Sequence, residues 1–360
     1  MGASQVSVEG ACPRPAGAGA LGRPRMIGSA PAFVAPPRGV PLQPPVESGI
    51  ETLMVHLDAL VSPLRADVVS GAAVVSRTAA EVVRRVAVHA HADSTAALRQ
   101  VLDEAAGRVL DAQPSMAPVV TLLARVFASL DDEPPLDEAR RRVARVAEGF
   151  REEIDRATAQ AGRHLSDMLD SGDRVMTLSD SSTVRAGLLR AADEGALSVV
   201  CLESRPLDEG VRLAGALSRV GVEVTVAVDA AAASLIAGCR AVVLGADSIG
   251  DAGVVNKIGS VAVARCARAE DVPVWVVTDR TKFLPSGFPQ PLDDDRPGEE
   301  VGRPRGPVRV WNRYFELLPY ELVDQVVTDH GPTDPALLAT SRPSEPLPAE
   351  LARWAVRRAG

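Results

Sequence analysis

From residue 48 to 167, apolar residues recur at intervals of three and four in five successive stretches. These are ETLMVHLDALV, SRTAAEVVRRVAVHAHA, STAALRQVLDEAAGRVL, MAPVVTLLARVFASL and LDEARRRVARVAEGFREEIDRATAQAGRHLSDML. That spacing lays one apolar stripe along a helix, so the region predicts an antiparallel helical layer or bundle. Asp93–Ser94–Thr95 is a candidate N-cap. At Ser171–Gly172–Asp173–Arg174 the pattern changes. Short apolar runs (RVMTL, LSVVCL, VEVTVAV, RAVVLGA, VPVWVVT) now alternate with STVRAGLLRAADEG, PLDEGVRLAGALSRVG, DAAAASLIAGC and SVAVARCARAED. Five strands alternating with helices predict a parallel sheet covered on both faces, with right-handed crossovers.

Composition narrows the classes. The chain has 360 residues, 46% hydrophobic and 24% charged, which suits a globular protein, and only 3% aromatic, so its core must be built from Ala, Val and Leu. A net charge of −8 without basic–aromatic clusters argues against nucleic-acid binding. With no apolar run of 18 residues, no membrane span is expected. The N-terminus does not read as a signal peptide, and four cysteines without paired spacing point to a reducing, cytoplasmic setting. Residues 1–46 are rich in Pro, Gly and Ala and read as a disordered tail. The acidic QPLDDDRPGEE, 290–300, reads as a mobile surface segment. His89, His91 and Asp93 imitate a metal cluster, but helix residues two apart diverge, so no metal is expected. Cys201 and Cys266 fall on apolar faces and are expected in the core.

Concentrated polar residues fall at the C-terminal ends of the predicted strands: TLSDSST, ESRP, Asp229, GADSIGDAGVVNKIG and TDRTKF. Ligands bind at that edge in open α/β sheets. Ser179, Ser181, Ser182 and Thr183 stand at a helix N-terminus, suited either to an anion or to simple capping. GADSIGDAGVVNKIG reads as a long glycine-punctuated loop carrying Asp247, Asn256 and Lys257. Of 39 basic residues only two are lysine, Lys257 and Lys282, and both fall on this edge. Lysine is a compact charge suited to phosphate and to proton chemistry.

VVLGADSIGDAGVVNKIGSVAVA, together with ESRP and TLSDSSTV, resembles the superfamily of the alpha, beta and delta subunits of eukaryotic translation initiation factor two-B. Ribose-1,5-bisphosphate isomerase and methylthioribose-1-phosphate isomerase belong to it. The resemblance resumes at NRYFELLPYELVDQVVTDHG. It implies an α/β fold, with an N-terminal helical domain (47–168) followed by a Rossmann-like parallel-sheet domain (169–335). The tail 1–46 and a C-terminal extension, 336–360, flank them. It further implies a homodimer and an aldose–ketose isomerase site using a cysteine and an aspartate, without cofactor. The aspartate corresponds to Asp247, the sugar- and phosphate-binding residues to Arg205, Asn256 and Lys257. Ser179 stands where the isomerases carry the cysteine, and a hydroxyl is a far weaker proton donor than a thiol. Ser70 and Gln113 stand at two arginine positions. The resulting expectation is a protein that binds a phosphorylated sugar or nucleotide through Ser179, Asp180, Ser181, Ser182, Arg205, Asp247, Asn256, Lys257 and Lys282. Two rivals are an active isomerase, with Asp247 as base and Ser179 in the proton relay, and a subunit-like scaffold.

Overall fold

Five helices come first, as their periodicity predicts: α1 (Ile50–Ala66), α2 (Ala72–His89), α3 (Thr95–Ala112), α4 (Ala117–Ala128) and α5 (Leu136–Ser166). The computed structural model describes residues 50–67, 70–292 and 295–359, so the tail 1–46 lies outside the described residues. On α5 the buried residues Ala139, Val143, Ala147, Phe150, Ile154, Ala157 and Ala161 step by three and four, one stripe along 31 residues. α4 is apolar nearly all round and sits inside the layer, with Val119, Leu122, Leu123 and Phe127 fully enclosed. Ser94 Oγ accepts the Ala97 N–H at 3.2 Å and caps α3.

The second half alternates as expected through β1 (Arg174–Leu178), α6 (Ser182–Glu194), β2 (Ser198–Leu202), α7 (Glu209–Ser218), β3 (Glu223–Ala227), α8 (Ala232–Leu235) and β4 (Ala241–Leu244). It continues with β5 (Ser248–Gly250), β6 (Gly253–Lys257), α9 (Ser260–Ala269), β7 (Val274–Val277), β8 (Phe315–Leu318), β9 (Gln325–Thr328) and β10 (Gly331–Thr333). Seven strands form one sheet in the order β10-β9-β7-β4-β1-β2-β3, parallel except for β10. Alternate residues pack on opposite faces. Met176, Val200, Val242 and Val276 join one core, and Val175, Val199, Val243 and Val277 join the other. This two-sided burial is why the central strands read as unbroken apolar runs.

Two findings depart from the sequence reading and a third adds to it. GADSIGDAGVVNKIG is not a loop but a hairpin, β5 turning into β6 at Asp251–Ala252, and β8 completes a three-stranded antiparallel sheet. Its third strand arrives some sixty residues later in the chain, so local periodicity could not show the pairing. Residues 336–360 carry two helices, α10 (Pro335–Ser341) and α11 (Ala349–Ala359), and α11 returns to the helical layer. Leu351 and Trp354 enter its core, and Trp354 stacks on Phe288 with ring centroids 5.8 Å apart. Cys201 is buried, but Cys266 is only half-buried at the margin of the core.

Candidate functional site

A cleft lies where β1, β2, β4 and β7 end. Ser179, Asp180, Ser181 and Ser182 line it from the β1–α6 turn, Asp247 from beyond β4, Asn256 and Lys257 from β6, and Lys282 from beyond β7. Every predicted site residue except Arg205 is therefore brought to one place. α4 supports the wall: the Ala117 N–H donates to Asp247 O (3.2 Å), and Thr121 Oγ1 donates to Thr281 O (2.7 Å).

Two helix N-termini open into this space. Ser181 is the N-cap of α6, but its hydroxyl lies 2.9 Å from Thr183 Oγ1 and caps no backbone N–H. Gly71, the N-cap of α2, has no side chain to cap with, and Ser70, Gly71 and Ala72 all line the cleft. A Cβ on Gly71 would stand 4.0 Å from Asp180 O, so the two helix starts nearly touch. First-turn N–H groups and the positive dipole ends favour an anion there. The turn is tight. Ser179 has φ +70°, uncommon for a residue with a side chain, and its N–H donates to Ser204 Oγ at 2.6 Å. Ser204 is held in turn by Asp229, whose carboxylate accepts from the Ser204 and Arg205 N–H groups, each at 2.8 Å.

Lys257 occupies the β2 side. It is 3% exposed, donates to the Glu209 carboxylate, and lies 4.9 Å from the centre of the Tyr314 ring. The Tyr314 hydroxyl donates to Glu300 at 2.7 Å, and Asn312 Nδ2 donates to Glu300 Oε2 at 2.8 Å. Asn256 Nδ2 donates to Ser260 Oγ (2.9 Å), fixing β6 to the start of α9. On the β7 side Lys282, also 3% exposed, has no ion-pair partner among the described residues. Nearby Asp279 is buried, and burial pushes its carboxyl above the usual carboxylate range against the opposing charge of Lys282.

Sequence reasoning missed Glu209, Arg212, Met116, Tyr314 and Phe315, which complete the lining. Glu209 sat inside PLDEGVRL, an ordinary amphipathic helix start. Its signal was an acid in the first turn after a strand end, followed by Gly210. A Cβ on Gly210 would fall 1.7 Å from Leu202 O, so only glycine lets α7 begin this close to β2. Other nominated residues serve elsewhere. Arg205 is exposed, lies outside the cleft and donates to Glu300 O (2.6 Å), clasping the 295–301 segment. Asp180 lines the cleft, but its carboxylate accepts from Arg185 Nε at 2.9 Å. Gln113 donates to Leu64 O (2.6 Å) and Asp67 O (2.9 Å) and joins helices. Burial, with the charge of Asp180 adding to it, pushes the Cys201 thiol up to about 12.

The chain as a whole is similar to known proteins. Residues 68–335 match the model of the initiation factor 2 subunit family. The chain is 30% identical over 289 residues to a ribose 1,5-bisphosphate isomerase of Haloterrigena turkmenica, covering 76% of this chain and 88% of that protein. It is 28% identical over 312 residues to a methylthioribose-1-phosphate isomerase of Geobacillus kaustophilus, covering 80% and 88%. The structure of Pyrococcus horikoshii translation initiation factor eIF-2B superposes with a TM-score of 0.68 at 25% identity, covering 78% of this chain and 97% of that one. With about three quarters of its length matched, the chain belongs to the initiation factor 2 subunit family.

Proposed function

We propose that the chain binds a phosphorylated sugar or nucleotide in the cleft at the C-terminal edge of the sheet. The observation that carries this reading is the convergence of turns after β1, β4 and β7 with β6 around a space into which α2 and α6 both open. The phosphoryl group takes the helix N–H groups and the ammonium of Lys282. The sugar lies against Asp247, Asn256 and Lys257. A homodimer belongs to the same reading, and sedimentation of the chain as a monomer would remove it. Thermal-shift measurements with phosphosugars and nucleotides test the binding, because a ligand that binds only the folded state raises Tm. No shift with any of them sinks the proposal.

A second reading is aldose–ketose isomerisation, favoured by Asp247 and Ser179 facing one cleft and by the names of the relatives. The ring of the aldose phosphate opens. The ring oxygen takes a proton as its bond to C1 breaks; the Asp247 carboxylate then takes the proton from C2 and returns it to C1, while the C2 hydroxyl becomes the ketone and its proton replaces the one given to the ring oxygen. The relay to the ring oxygen wants an acid with a pKa near working pH. The only acid in the cysteine's place is a serine hydroxyl, and the Cys201 thiol is held in the core. The binding reading is therefore preferred. Proton NMR of aldose phosphates in deuterated water separates the two: exchange at C2 that disappears in Asp247→Asn establishes the isomerase.

A further inference from the structure

We propose that the ligand carries one phosphoryl group and not two, and that Glu209 enforces this choice. The proposal rests on the phosphosugar reading above and concerns the opposite end of the same cleft. In the sheet order, β7 and β2 are separated by β4 and β1. The ends of β7 and β2, after which Lys282 and Glu209 follow in the chain, thus lie roughly 14 Å apart along the rim, at three strand spacings. One end offers two helix N-termini and Lys282. The other offers Lys257 with its charge already matched by Glu209.

Glu209 is 7% exposed and lines the cleft. Its Oε1 accepts from Lys257, while its Oε2 is buried with no hydrogen-bond partner among the described residues. An unmet carboxylate oxygen calls for a donor. A sugar hydroxyl is a donor; a phosphoryl group at neutral pH brings only acceptors and like charge. Gly210, pressed against Leu202 O, holds the start of α7 and with it the backbone of Glu209 in place. The lining carries Asp180, Glu209 and Asp247 against Arg212, Lys257 and Lys282, and Asp180 is already paired with Arg185. The one cation left over suits one phosphoryl group at the helix end, with a neutral polyol at Glu209.

Calorimetric titration of the full chain with ribose 1-phosphate, ribose 5-phosphate and ribose 1,5-bisphosphate tests this. The better monophosphate is expected to bind at least about tenfold more tightly than the bisphosphate, the penalty of setting like charges together. Glu209→Gln, which keeps the shape and removes the charge, is expected to bring that ratio to within about threefold. A wild-type chain that prefers the bisphosphate, or a ratio unmoved in Glu209→Gln, overturns the inference and leaves the binding reading standing. Binding of none of the three removes both. The wild-type ratio needs no variant, so the test holds even if Glu209→Gln does not fold.

Discussion

On the outer face of α2, Glu81 accepts from Arg84 at 2.8 Å and Arg85 at 2.7 Å, with Arg151 of α5 3.8 Å away. At the sheet edge, Lys257 donates to Glu209. Both clusters pair a carboxylate with a cation, yet the side chains on α2 are 27–48% exposed and those at the edge 4% and 9%. Water weakens the first set and competes with it at every moment, so such pairs contribute little. The second set has given up its hydration, and each partner now depends on the other. Burial, and not the ion pair as such, separates surface charge that keeps a helix soluble from charge that shapes a cleft.

The sharpest test of that contrast removes one cation from each cluster. Lys257→Met strands Glu209 in the interior and is expected to cost about 3 kcal/mol, measured by urea unfolding. Arg84→Met is expected to stay within about 0.5 kcal/mol. Equal losses would erase the distinction. Gly210→Ala follows in size, at about 2 kcal/mol, because the added methyl meets the Leu202 carbonyl. Gly215→Ala on the same helix meets nothing closer than 3.9 Å and should instead stabilise by about 0.5 kcal/mol. A neutral Gly210→Ala would show that α7 can slide, and with it Glu209. Lys282→Ala should weaken phosphosugar binding about tenfold, one charge-assisted hydrogen bond. Unaltered binding would move the phosphoryl group away from the β7 side.

How much of this was legible in the sequence follows the same division. The helices and the five parallel strands were, because each is a local periodicity imposed by its own buried face. The edge that carries the cleft was legible because strand ends concentrate polar residues, and the two lysines of an arginine-rich chain both reached it. The β5–β6–β8 sheet was hidden, since its third strand is remote in sequence. Arg205 was misjudged for a related reason: its hydrogen bonds go to carbonyls of residues 300 and 301, a partner no local motif announces. Glu209 and Tyr314 were missed because nothing in PLDEGVRL or NRYFELL shows which side chains share a space. Tertiary contact alone makes a first-turn glutamate the neighbour of a lysine 48 positions away.

The smallest effect is the most discriminating about mechanism. The Arg84 and Arg85 hydrogen bonds hold the Glu81 carboxyl down at about 2, against an ordinary value of 4.5. The folded state therefore binds its proton at lower pH than the unfolded state does. The contribution of Glu81 is fully present above 4.5 and is lost as the pH falls through about 2. Because the carboxylate is on the surface, its worth is about 0.5 kcal/mol and not what a buried group with the same shift would give. Urea unfolding of Glu81→Gln beside the wild type should show a gap that is flat from pH 7 to about 5.5 and closes between 4.5 and 2. Raising the salt to about 1 M should close the same gap at pH 7, since the Debye length falls to about 3 Å. The loss caused by Lys257→Met should survive that salt, because no ion reaches a pair that is 4% and 9% exposed. Were both losses screened alike, Lys257 and Glu209 would have to be open to solvent in solution, and a cleft end closed by their pairing would no longer follow.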